Sequence, residues 1–190
     1  MTMIRPTNDS PAAGSSFLGF QEASILKIND RTNEFDWAHV YIDVVLATPN
    51  SKYSTTLRIK GSFKRQNNGQ VDANSRLVKD IYYFFDAIGY SGGINADGQF
   101  VDDTGNLTNI QNELAGFATG KDAEDANHSY GLYVYVYKEW NQKRAKAYTS
   151  VLNYVKPNNN EGRAAVEDRV KFLKENGFLN EATPQQMGKS

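Results

Sequence analysis

The chain has 190 residues, of which 39% are hydrophobic and 23% charged, and its formal net charge is −1. This composition indicates one globular domain with tails, and no apolar run approaches the roughly 18 residues that would span a membrane. The absence of cysteine excludes disulfides, thiolate metal sites and cysteine nucleophiles. The first fifteen residues are small and polar and lack the order of a secretory signal, so we expect a flexible arm and a cytoplasmic protein.

Charge is distributed unevenly along the chain. Residues 52–65 contain five basic residues and no acid, and residues 138–156 contain five basic residues against Glu139 alone. Residues 97–125 reverse this balance, with seven acids and only Lys121. The near-zero net charge therefore does not argue against an anionic partner for part of the surface.

Three strands are predicted in the first third of the chain. They are residues 17–30, 37–47 and 53–63. Apolar and polar positions alternate in the second and third strands, which is typical of half-buried strands, and the Pro49-Asn50-Ser51 turn joins them as a hairpin. The polar face of the third strand carries Arg58 and Lys60 and no acid.

A helix is predicted next, capped by Asn74 or Ser75 and ending at Ile88, because apolar residues recur there at helical spacing. Gly89 suits the left-handed position after the helix. Residues 89–129 form a long insertion rich in Gly, Asn and Asp, in which only residues 109–117 hold enough apolar positions for a short helix or strand.

Two strands and a helix complete the predicted order. The strands are residues 131–139 and 145–156, joined through residues 140–142, and the helix is residues 162–176, ending at Gly177. The residues after Gly177 are expected to be frayed.

Two motifs that could indicate catalysis or metal binding are not in a suitable context. Ser91 lies in a G-x-S-x-G match, but a nucleophile elbow needs a strand before the serine and a helix after it, whereas here the helix comes first. Asp97, Asp102, Asp103 and Asn106 lack the spacing of a calcium loop and indicate a solvated acidic loop. We therefore expect no enzyme, no cofactor and no metal site.

The strand that begins at Gly131 alternates valine with tyrosine. If Val134 and Val136 face the core, then Tyr133, Tyr135 and Tyr137 line the opposite face. One interpretation is a second buried layer, since buried tyrosines with a bonded hydroxyl are common. The other is an open ladder of rings about 6.6 to 6.8 Å apart, on which the bases of a single strand stack while nearby cations bind the phosphates.

The second interpretation predicts a nucleic-acid site. Its expected residues are Arg58, Lys60, Lys64, Arg65, Tyr133, Tyr135, Tyr137, Trp140, Lys143, Arg144, Lys146 and Tyr148.

Three strands, a helix and a closing hairpin follow the order of the OB-fold, a five-stranded Greek-key barrel with a helix between strands 3 and 4. Residues 76–90 (RLVKDIYYFFDAIGY) resemble the helix of the phage-type single-stranded DNA-binding proteins, and residues 133–157 resemble their last hairpin. The resemblance covers residues 17–157. It implies a mainly β fold with helices, with an arm at residues 1–15, an OB-fold domain at 16–157 containing the 89–129 insertion, and a C-terminal helix and tail at 158–190.

The resemblance also implies a function, the coating of single-stranded DNA in phage replication and recombination within the host cytoplasm. Phage replication proteins and a second copy of the chain are further candidate partners, and no membrane is expected. The acidic tail common in that family is absent here, since residues 162–190 are slightly basic. The alternative is a phage structural or assembly protein that uses a β-barrel domain and exposed tyrosines for protein contacts.

Overall fold

The structure is a computed structural model that describes residues 17–118 and 130–188. The arm predicted for residues 1–15 and part of the 89–129 insertion lie outside these residues. The strands are β1 (Gly19–Asp30), β2 (Val40–Ala47), β3 (Thr55–Gly61), β4 (Gly93–Ile94), β5 (Phe100–Val101), β6 (Leu132–Asn141), β7 (Lys146–Val151) and β8 (Lys156–Pro157). The helices are α1 (Arg76–Ile88), α2 (Ile110–Ala115), α3 (Asn160–Glu175) and α4 (Pro184–Met187). Within the described ranges, no helix is long and apolar enough to cross a membrane.

One antiparallel sheet dominates the molecule, in the order β3-β2-β1-β6-β7, with β8 also paired to β6. The predicted mainly β class with helices is confirmed. The predicted closed barrel is not found, because no ladder of hydrogen bonds joins β3 to β7 in the part of the chain that the structure describes. The two strands still approach each other, and a groove lies between them.

The central strand β1 pairs with two different strands along its length. Residues 19–23 pair with β6, and residues 24–30 pair with β2. The register shifts by one residue between Ile25 and Lys27, close to the point where the partner changes. Such a bulge bends a strand, so the sheet curves around the core at this point.

The main core lies between the inner face of the sheet and α1. The half-buried alternation predicted for β3 is confirmed, since Leu57 and Ile59 are buried in this core and Arg58 and Lys60 are exposed. For β2 that prediction is wrong, because its outer face is buried as well as its inner one. Phe84 and Phe85 of α1 pack in the same core and are almost fully buried. The predicted helix is confirmed from its cap at Ser75 to its end at Ile88, and Gly89 adopts the expected left-handed conformation with a φ of 76°.

The described part of the insertion covers one end of the sheet. β4 and β5 form a two-stranded sheet of their own, and residues 109–117 contain the short helix α2. Gln111 ties α2 to β1, because its side-chain nitrogen donates to the Ile28 carbonyl at 2.7 Å and its oxygen accepts from the Asp30 amide at 2.6 Å.

The C-terminal residues cover the outer face of β6. The predicted helix is confirmed as α3, two residues longer at its start, and it packs on β6 and β8. The expectation of a frayed end is wrong for residues 178–188. The Trp140 amide donates to the Asn180 carbonyl at 3.1 Å, and the Ala182 amide donates to the Lys138 carbonyl at 2.7 Å. These bonds extend the sheet along the edge of β6 beyond the end of β1.

Candidate nucleic-acid interface

The tyrosines of β6 do not form the open ladder predicted from the sequence. Tyr135 is only 4% exposed, and it packs together with Tyr137 in a second small core. Val166 and Val170 of α3 and Leu152 complete that core. The first interpretation, a second buried layer, is therefore correct for these two rings, because α3 covers the face that a base would need.

The hydroxyl groups of these tyrosines are also engaged. The Tyr133 hydroxyl donates to Glu167 of α3 at 3.0 Å, and the Tyr135 hydroxyl donates to Glu181 at 3.0 Å. Burial raises the pKa of Tyr133 to about 12, and the hydrogen bond to Glu167 acts in the same direction. Burial likewise raises the pKa of Tyr137 to about 12. The hydroxyls of Tyr133 and Tyr135 thus join β6 to the C-terminal residues.

The outer face of β2 and β3, by contrast, combines aromatic and basic side chains. Tyr41 lies directly opposite Lys60 in the antiparallel ladder, and Asp43 lies opposite Arg58. Directly opposed residues share a face of the sheet, so these four side chains are neighbours. The Lys60 ammonium lies 5.7 Å from the centre of the Tyr41 ring. Both cations predicted on this strand therefore point away from the core.

The connection between β1 and β2 adds an arginine and two further rings to this face. The Arg31 guanidinium lies 5.3 Å from the ring centres of both Phe35 and Tyr41, and these two rings stack with centres 4.1 Å apart. The Trp37 ring lies 6.0 Å from each of them. We call the set Arg31, Phe35, Trp37, Tyr41, Arg58 and Lys60 the Trp37 cluster.

Trp37 is the member of this cluster whose ring is available for stacking. The side chain is 56% exposed, whereas Tyr41 is buried beneath its neighbours. In the described ranges, no cation lies over the Trp37 ring. A flat π-surface of this kind, fixed by two adjoining rings, is what a nucleobase requires.

Two carboxylates partly balance the cations of the Trp37 cluster. Arg31 donates to Glu34 and to Asp43, each at 2.8 Å, and the Arg58 Nε lies 3.4 Å from Asp43. The bonds to Glu34 and then to Asp43 raise the pKa of Arg31 above its usual value. Asp43 is buried and orients both arginines, while Lys60 forms no ion pair among the described residues.

A groove of about 550 Å³ adjoins the cluster at Arg58. It lies between β3, the β2–β3 turn and β7, and hydroxyl groups and two cations line much of it. The lining residues are Phe17, Thr48, Asn50, Ser51, Lys52, Tyr53, Ser54, Thr55, Thr56, Arg58 and Thr149. Hydroxyls, amides and cations are the groups that bind sugar and phosphate oxygens.

The hairpin of β6 and β7 carries the remaining predicted cations at its tip. Lys143, Arg144 and Lys146 are exposed there. Trp140 is half-buried and its ring nitrogen donates to Gln142, while Tyr148 on β7 is exposed. β7 also carries Thr149, which lines the groove, so the hairpin tip and the groove share this strand.

Lys64 and Arg65 occupy the connection between β3 and α1. Both are exposed, but Arg65 already donates to the carbonyls of Gly69 at 3.0 Å and Asp97 at 3.2 Å. Arg65 therefore holds two loops together, and Lys64 is the freer of the two cations.

Sequence analysis missed Arg31, Phe35 and Trp37 as site residues. They lie in or beside a turn, and the contacts that unite them run between elements rather than along one strand. The available signal was a run of three aromatic residues, Phe35, Trp37 and Tyr41, that begins four residues after Arg31.

Comparisons with protein-family models, with curated proteins and with solved structures find no match to this chain.

Proposed function

We propose that this protein binds single-stranded DNA without strong sequence preference, as a non-enzymatic coating protein of phage replication and recombination. The observation that carries the proposal is the Trp37 cluster, in which an exposed indole ring is fixed beside three cations on one face of a sheet. The tyrosines of β6, which first suggested this function, are not part of the proposed site.

The arrangement supports binding of unpaired bases. A base that stacks on Trp37 contributes on the order of 1 to 3 kcal/mol, and this contact does not depend on base identity. From Arg58, the groove along β3 gives the backbone a path toward the hairpin tip. Lys60, Lys52 and the hairpin cations then lie where successive phosphates would pass.

The topology is also compatible with the proposal. The strand order β3-β2-β1-β6-β7, with α1 between β3 and β6, has the sequence of elements expected of an OB-fold. We include an OB-type arrangement, open between β3 and β7, in the proposal. In such folds the second and third strands and the adjoining loops bind oligonucleotides, which is where the Trp37 cluster lies.

The test is a titration with oligo-dT, a mixed-sequence single strand and the matching duplex. We expect similar affinity for both single strands and weaker binding of the duplex. Trp37→Ala should weaken single-strand binding by roughly 5- to 150-fold, the equivalent of one lost stacking contact. The melting temperature should hardly change, because the indole is largely exposed.

Phe178→Ala is the matched control, since Phe178 is a similarly exposed ring on the C-terminal segment, and it should leave DNA affinity unchanged. Lys60→Gln should make the slope of log K against log salt concentration shallower by roughly 0.7, which is the single-strand value for one phosphate contact. Duplex binding as tight as single-strand binding, or an unaltered affinity in Trp37→Ala, would contradict the proposal.

A further inference from the structure

A second cluster of aromatic and basic side chains lies on the surface formed by α1, α3 and the residues between β7 and β8. The Tyr154 ring has the Lys156 ammonium 4.9 Å from its centre and the Arg169 guanidinium 5.5 Å from it. Arg169 also lies 5.6 Å from the centre of the Phe172 ring. We call the set Tyr83, Tyr154, Lys156, Arg169, Phe172 and Phe178 the Arg169 cluster.

The cations of this cluster have no anionic partner among the described residues. Arg31, Arg58 and Lys174 each lie within 3.4 Å of a carboxylate, whereas Lys156 and Arg169 form no ion pair in residues 17–118 and 130–188. The Nε of Arg169 is buried and has no hydrogen-bond partner. That nitrogen is out of reach of a ligand, but the Arg169 side chain as a whole is only partly buried, so its guanidinium can bind an anion that the described residues do not supply.

Apolar surface adjoins these cations. Phe178 is 68% exposed and Phe172 is nearly half exposed, and their rings meet edge to face with centres 6.2 Å apart. Both rings lie outside the second core, where Val166, Val170 and the partly buried Leu173 and Leu179 pack. Exposed aromatic rings beside unpaired cations favour a ligand that brings both negative charge and an apolar side chain.

We propose that the Arg169 cluster binds an acidic peptide segment of a partner protein that carries one large apolar side chain. Carboxylates of the peptide accept from Arg169 and Lys156, and its apolar side chain packs on Phe172 and Phe178. The site shares no residue with the Trp37 cluster, so it goes beyond the proposed function and stands independently of it.

A nucleic acid fits this surface less well than a peptide. Two cations, Lys156 and Arg169, already lie over the Tyr154 ring, and Arg169 also lies over the Phe172 ring. Tyr83 meets Tyr154 edge to face, which leaves little of that ring for a base. Both cations are thus already in contact with the rings on which a base would have to stack.

The experiment uses the full chain and three fluorescein-labelled decapeptides of Gly and Ser. The first contains five Asp and one Phe, the second replaces Asp by Asn, and the third replaces Phe by Ser. Fluorescence anisotropy should show binding of the first peptide and at least about tenfold weaker binding of the other two. No binding of the first peptide at about 1 mM, or equal binding of all three, would overturn the proposal.

Two variants and a matched control place the peptide on the cluster. Arg169→Gln and Phe178→Ser should each weaken binding of the first peptide by at least about tenfold. Lys171→Gln, an exposed cation on the same helix, should change it less than about twofold. Phe178 is so exposed that its replacement keeps the test valid even if Arg169→Gln reduces stability.

Oligo-dT binding by the same variants separates this proposal from the DNA-binding one. We expect Arg169→Gln to keep the wild-type affinity for oligo-dT. A loss as large as that of Trp37→Ala would assign the cluster to nucleic acid and overturn the peptide proposal. Failure of oligo-dT to bind at all would contradict the proposed function and leave the peptide result interpretable.

Discussion

The phenol of Tyr135 has neighbours from three parts of the chain. Its ring centre lies 5.0 Å from that of Phe20 on β1 and 5.2 Å from the Lys174 ammonium on α3, and its hydroxyl donates to Glu181. Lys174 in turn pairs with Glu181 at 3.4 Å. At this residue the sheet, α3 and the C-terminal segment are joined, so the side chain contributes to stability.

Tyr135→Ala is accordingly expected to reduce the free energy of unfolding by about 3 to 5 kcal/mol, as truncation of a buried ring does, and to leave DNA affinity intact. Tyr135→Phe keeps the ring and should cost only about 0.5 to 1.5 kcal/mol, because Glu181 retains Lys174 as a partner. Urea unfolding and an oligo-dT titration measure the two effects. A stable Tyr135→Ala variant with weakened DNA binding would restore the tyrosine ladder as the site.

Gly162 is required by a close approach of two backbone segments. The residue lies in the first turn of α3, where its amide donates to the Asn159 cap at 2.7 Å. A Cβ at this position would overlap the Pro157 carbonyl oxygen, which belongs to rigid backbone.

Gly162→Ala should therefore destabilise the protein by about 1 to 3 kcal/mol, since α3 must move away from β8 to accept the methyl group. Gly116→Ala is the control, because Gly116 has a negative φ of −69° and open space where the Cβ would lie. That change should be neutral or stabilise by up to about 1 kcal/mol. Equal thermal unfolding curves for both variants would argue against the close contact.

At the scale of elements, α1 is tied to the residues after β7 through a buried carboxylate. Asp80 accepts from the Asn153 side chain at 3.0 Å and lies 3.4 Å from the Nε of Arg76, which is itself largely exposed. Burial raises the pKa of Asp80 above its ordinary value of 3.8, while Arg76 and Asn153 act in the opposite direction.

Because the folded pKa of Asp80 is raised, its contribution to stability is fully present below pH 3.8 and is lost as the pH rises through the folded value. The Asp80→Asn variant lacks the carboxyl group and therefore this loss. Its free energy of unfolding should increase relative to that of the wild type as the pH rises from about 4 to 7. Chemical unfolding of both proteins across that range measures the difference. A difference that is independent of pH would contradict the raised pKa.

Most helices and strands were predictable from the sequence, but the packing of one element on another was not. The alternation of β2 and β3 and the caps of α1 are local patterns, so residues 40–47 and 76–88 were placed within a few positions. The alternation in β6 shows two apolar faces but does not say whether a helix covers the second. That depends on α3, which folds back over β6 because its inward face meets Tyr135 and Tyr137.

The candidate site was predictable only where it follows a single strand. Arg58 and Lys60 were found because they alternate with buried residues along β3. The pairing of Arg31 with Asp43, twelve residues away, and the stack of Phe35 on Tyr41 arise from tertiary folding. No spacing along the chain specifies such contacts, and they decide which ring is left exposed.

For the whole molecule, the uneven distribution of charge has a structural counterpart. Within the described part of the acidic segment, Asp102 accepts from the backbone and hydroxyl of Thr104, which lowers its pKa. The backbone of Asp97 accepts from Arg65. The Asp102 carboxylate therefore organises its own loop, while the cations of β3 and of the β6–β7 hairpin remain on the surface. The two proposed sites share no residue, so the two proposals together predict that DNA and a partner peptide bind at the same time.

The pairing of β1 with two strands, β2 and β6, has a consequence for the time course of folding. The second half of β1 pairs with β2, the next strand in the chain, but Gly19 pairs with Val136, 117 residues later. At a synthesis rate of about 5 to 20 residues per second, the first half of β1 waits on the order of ten seconds for β6. During that time it forms an unpaired edge of the sheet of β1, β2 and β3. Such non-local pairing also slows folding relative to helical proteins. An unpaired strand edge attracts other chains, so the interval before β6 leaves the ribosome is when this protein is most exposed to aggregation.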